Sequence, residues 1–187
     1  MATKRKNKQQ VKRKSAKKAG AKAARVKSGS GVNDKALREQ LRKVLDWREA
    51  HADWKQALAG LDPVHRGVRP AGSPHSVWDL LEHARLAQRD ILDFTLNPKH
   101  VSPDWPAGYW PKSLAPADDA EWDKSVKTFF HDLQEMQKLV SNLRTDLFAR
   151  IPHGTGQTLL RQVLLLIDHN SYHLGQLVLV RRLLGAW

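Results

Sequence analysis

The chain has 187 residues, enough for one domain with a sizeable core, and a formal charge of +13. It contains no cysteine, which excludes disulfides, thiolate metal ligands and a cysteine nucleophile, so any metal must be held by histidine or carboxylate. The charge is segregated: residues 1–30 hold 12 of the 32 Lys and Arg and no acidic residue, so the remainder is close to neutral.

Residues 1–32, "MATKRKNKQQVKRKSAKKAGAKAARVKSGSGV", lack the apolar side chains needed to offset chain entropy. They are expected to form a disordered basic tail, with "SGSG" as a flexible joint to a domain over 33–187. Such a tail suits non-specific contact with nucleic acid or another anionic surface through counterion release; a solubilising role fits the same composition. No aromatic residue interleaves the charges, so base stacking is unsupported. The N-terminus shows no secretory pattern, and the longest apolar run, Val163 to Ile167, is too short to cross a bilayer. A cytoplasmic protein without a membrane segment is the expectation.

Four helices are predicted, and no strand. The first runs from Asn33 to about Ala59, with Leu37, Leu41, Val44, Trp47, His51, Trp54 and Leu58 at spacings of three and four. The second starts at Ser76, whose spacing to Asp79 resembles a capping box, and stops at Asn97-Pro98. A Pro-rich and aromatic-rich link, "NPKHVSPDWPAGYWPKSLAPAD", follows; connections this long inside a domain are often functional. The third helix spans about Asp118 to Ala149, with Asp118, Asp119 and Glu121 complementing its N-terminal dipole. The fourth runs from about Thr158 to Leu184. Together they imply an all-α four-helix bundle, in which the long link allows the second and third helices to run parallel.

His169 and His173, in "IDHNSYHLGQLVLV", lie one turn apart on one face of the fourth helix. That spacing suits two ligands of one metal ion, and equally two packed, hydrogen-bonded histidines. His83 shares a face of the second helix with Leu80, Ala87 and Phe94 and is a third candidate. Bundle cores build metal sites from facing helices, and three imidazoles leave positions open for water or substrate. His51, on the apolar stripe of the first helix, reads either as a core histidine or as a proton-transfer group. Trp105, Tyr109 and Trp110 on the long link are candidates for a substrate cover, or for packing that link onto the bundle.

The segments "PHSVWDLLEHARLAQRDILDF", "SPDWPAGYWP" and "HGTGQTLLRQVLLLIDHNSYHLGQLVLVRRLLGAW" resemble the DinB-like superfamily of metal-binding four-helix bundles over roughly residues 35–187. The resemblance implies a divalent metal on His83, His169 and His173. Zinc or nickel suits three imidazoles. It further implies kinship with S-transferases that use bacillithiol or mycothiol, with a maleylpyruvate isomerase, and with proteins that form homodimers. A metal-dependent enzyme acting on a small-molecule thiol, as an S-transferase or a hydrolase, is therefore expected. The alternative is a non-catalytic metal-stabilised module whose tail contacts an anionic surface.

Overall fold

In a computed structural model of the protein, residues 30–187 are described, without the side chains of Ser30 and Val32. Among them are five α-helices and no strand: α1 (Ser30–Val44), α2 (Trp54–Leu58), α3 (Val77–Leu96), α4 (Asp119–Ser141) and α5 (Leu159–Leu183). A lone bridge pairs Arg150 with Thr158. No described helix is long and apolar enough to cross a membrane. The expected tail lies outside the described residues except at its end, where Ser30–Val32 already belong to α1 rather than to a joint.

The four long helices pack around one core. Its fully buried side chains include Trp78, Leu80 and Leu81 of α3, Phe129, Leu133 and Met136 of α4, and Leu166 and Leu177 of α5. Contact pairs set the helix directions. Trp78 meets Trp122, Gln88 meets Phe129 and Arg89 meets Asp132, so α3 and α4 run parallel, as the long connection allows. Gln88 bonds Asn170 while His83 meets His173, so α5 is antiparallel to α3. Arg38 reaches the carbonyls of Val140 and Asn142, and Gln137 that of Arg42, so α1 is antiparallel to α4.

The ends of α3 and α5 follow local chemistry. Ser76 caps α3 through a reciprocal box with Asp79, and Thr158 caps α5 by accepting from the Arg161 N–H. Two of the expected boundaries differ. The long first helix is broken at Val44, and the chain resumes as α2 only at Trp54, because Asp53 and Gln56 form a second capping box that starts a new helix. The third predicted helix ends at Ser141, eight residues early. There the side chains of Asn142 and Asp146 accept from the N–H groups of Arg144 and Phe148, offering the backbone turns in place of a helical ladder.

The link between α3 and α4 is packed down rather than loose. Tyr109 is buried and donates its hydroxyl to Asp90 on α3 at 2.9 Å. His100 meets the other Asp90 oxygen at 2.7 Å, and the Trp78 indole N–H donates to Ser113 at 3.1 Å. Gly108 lies so close to Pro103 that an added Cβ would stand 2.7 Å from the proline ring, which explains a glycine here.

Candidate metal centre

Three imidazoles converge where α3 faces α5. His83 sits at the seventh position of α3, and His169 and His173 project from one side of α5. One nitrogen from each lies within 4.8 Å of the others. Their ring centroids are 4.4 to 4.9 Å apart, and the Nε2 atoms of His83 and His169 are 3.1 Å apart. His83 and His173 are buried and His169 is half-buried.

The outer ring nitrogens decide which lone pairs face inward. His83 Nδ1 is 2.8 Å from the Tyr109 carbonyl, an acceptor with no proton of its own, so Nδ1 carries the hydrogen and Nε2 presents its lone pair. His173 Nδ1 is placed in the same way, 2.8 Å from Gln176 Oε1. His169 Nδ1 is buried and without a partner.

Burial holds all three imidazoles below their ordinary basicity. Desolvation is the largest cause for each. For His169 the neighbouring His83 adds to it, and for His173 both neighbours do, bringing His173 down to about 4. The site is thus a set of neutral nitrogen donors at neutral pH. Clustering three neutral imidazoles, two of them with lone pairs turned inward, is costly to the bare protein and suits a divalent ion, which would replace the proton between His83 and His169. The donor set fits such an ion: three neutral nitrogens, with outer N–H groups anchored on two of the three.

The sequence candidates around the triad divide. Trp110 stacks on His83 with centroids 4.0 Å apart and planes 10° apart, and Tyr109 holds His83 through its carbonyl. Both are walls of the site. Trp105 is 79% exposed and meets the Tyr109 ring from outside. His51 is not brought to the triad. It is exposed in the break between α1 and α2, its Nδ1 bonded to the Ala52 carbonyl. It lines a cavity of about 140 Å³ with Ile167, Asn170, Ser171 and Leu174, a different flank of α5 from the triad. Glu82, which precedes His83 on α3, pairs with Arg85 through both oxygens.

Sequence reasoning missed two contributors. His75 stacks on Trp110 with centroids 4.3 Å apart and planes 13° apart. It lies in a loop just before the α3 cap, with nothing in its neighbours to mark it. Gln88 is fully buried, donating to the Phe129 carbonyl and accepting from Asn170, so it ties α4, α3 and α5 together beside His169. Its place on the interior face of the second predicted helix, five residues after His83, was the available signal.

Nothing among curated proteins or solved structures matches the chain. A family model described as the DinB superfamily matches residues 46–177, a span that includes all three histidines and more than half of the chain. The all-helical fold agrees with that match, and the chain belongs to the DinB superfamily.

Proposed function

We propose that the protein is a metal-dependent enzyme acting on a small-molecule thiol, with His83, His169 and His173 as the ligands of a zinc or nickel ion. The observation that carries this reading is the convergence of three neutral imidazoles, two of them with their outer nitrogens anchored, beneath a half-exposed third. A bound divalent cation supplies positive charge that favours the deprotonated form of a thiol, the form that attacks an electrophilic partner. The chain supplies the rest. Burial keeps the imidazoles neutral, Trp110 and Tyr109 pack against His83, and His169, the most exposed of the three, is the ligand nearest to solvent for an incoming substrate. Hydrolysis is the nearest variant on the same residues.

Purified protein should carry about one divalent ion per chain, and a variant with all three histidines replaced by alanine should carry none. Equal metal in the two proteins would sink the assignment. A screen of thiols with electrophiles should give turnover that a chelator removes. Metal binding without chelator-sensitive turnover would favour the metal-stabilised module instead.

A further inference from the structure

The connection between α3 and α4 is bound to the site more closely than a cover would be. Two consecutive residues of it hold His83 from two directions. The Tyr109 carbonyl takes the Nδ1 hydrogen at 2.8 Å, and the Trp110 indole lies flat on the imidazole at 4.0 Å. His75 stacks on the same indole at 4.3 Å. Both imidazoles lie nearly parallel to it without contacting each other, so they flank its two faces. The order is therefore His75, Trp110, His83. Tyr109 is in turn fixed by its hydroxyl to Asp90, two turns along α3 from His83, and Asp90 is fixed by His100.

We propose that this connection is a working part of the metal centre: Tyr109 and Trp110, with His75 behind the indole, act as positioning residues that hold His83 in the Nε2-facing tautomer and in one plane, and so set the affinity for the divalent ion. This rests on the metal reading above. An imidazole on a helix turns about two bonds, and each orientation that misses the ion lowers the effective affinity. The carbonyl selects the tautomer and the indole restricts the ring plane. His169 lacks this support, since its outer nitrogen has no partner. Outer contacts of this kind typically change metal affinity about 10- to 100-fold.

The test is the apparent affinity of the full chain for Zn²⁺ and Ni²⁺, measured in competition with a chromophoric chelator. Trp110→Ala should bind about 10- to 100-fold more weakly than the parent, and Trp110→Phe, which keeps a flat ring, should recover most of the loss. His75→Leu, at a half-buried position outside the ligand set, should weaken binding by a smaller factor and covers the case in which Trp110→Ala does not fold. A role confined to stability would lower the metal-free unfolding midpoint of the folded variants and leave their affinity alone. As a second readout, Ni²⁺ should quench part of the parent's tryptophan fluorescence, and most of that quenching should vanish in Trp110→Phe. Parent-like affinity in Trp110→Ala, or in His75→Leu where Trp110→Ala does not fold, or quenching unchanged in Trp110→Phe, overturns the inference. A parent that binds neither ion overturns the metal reading itself, so the two failures are distinguishable.

Discussion

A histidine is informative only through what its two nitrogens touch. His83, His169, His173 and His51 are the same residue type on helical patterns that look alike in sequence. The structure separates them by what stands at Nδ1: a carbonyl for His83, an amide oxygen for His173, no partner for His169, and the adjacent backbone for His51. The triad also makes stability depend on pH. Each imidazole is held below its ordinary 6.5 by burial first, His173 at about 4, so the native state binds fewer protons than the unfolded chain. Stability then rises with pH wherever the unfolded state holds the extra protons. The contribution of the neutral imidazoles is full above about 6.5 and is lost as pH falls toward 4. Metal-free protein should therefore show a urea midpoint that drops between pH 7 and pH 4.5. The drop should be shallower in His173→Gln, and an identical slope in the two proteins would remove His173 as a source of it.

At the scale of the element, periodicity was a good guide to helix existence and a poor one to helix ends. The stripe from Leu37 to Leu58 keeps helical spacing across residues 45–53, yet the chain bends there. Asp53 and Gln56 satisfy each other's backbone donors, and a helix start is worth more locally than continuing a stripe that would bury Trp47 and His51, both of which are exposed. The Asp53–Gln56 spacing is visible in the sequence, and the apolar period outweighed it. The end of α4 is different, because its partner comes from far away. Arg38 is buried and donates to the carbonyls of Val140, Asn142 and Thr145, closing the last turn of a helix about a hundred positions later. Arg38→Met should leave those carbonyls unpaired and destabilise the protein by about 3 kcal/mol in urea unfolding. Arg42→Met, on the exposed side of α1, should cost less than about 0.5 kcal/mol. Equal effects would show that the Arg38 contacts contribute nothing to closing α4.

The whole molecule divides into a nearly neutral body and a basic segment that holds 12 cationic residues and no anionic one. Residues 1–29 lie outside the described structure; any contact their cationic side chains make with a polyanion should weaken steeply with salt. Removing residues 1–30 should abolish any salt-sensitive binding to nucleic acid that the full chain shows and leave the metal content unchanged. Binding that survives the deletion would move the contact onto the body. Within that body, the parallel run of α3 and α4 is the decision that matters most. It obliges the chain to cross back along the bundle, and the crossing segment is the one that carries Tyr109 and Trp110 to His83.

Much of this was legible in one dimension. Helical periods, the Ser76–Asp79 cap, the i,i+4 histidine pair and the segregated charge are properties of neighbours in the chain, and local sterics and hydrogen bonding act at that range. The interior face of the second predicted helix also offered His83 as the third candidate, and the resemblance to the superfamily joined the three into one ligand set. Only the tertiary structure decided that His83 stands 3.1 Å from a residue 86 positions away, that a loop carbonyl and an indole hold it, that His75 backs them, and that His51 lies on another flank. The physical reason is that side-chain convergence depends on how helices cross and what their connections pack against. Those follow from burying the whole core at once, and no local pattern encodes them.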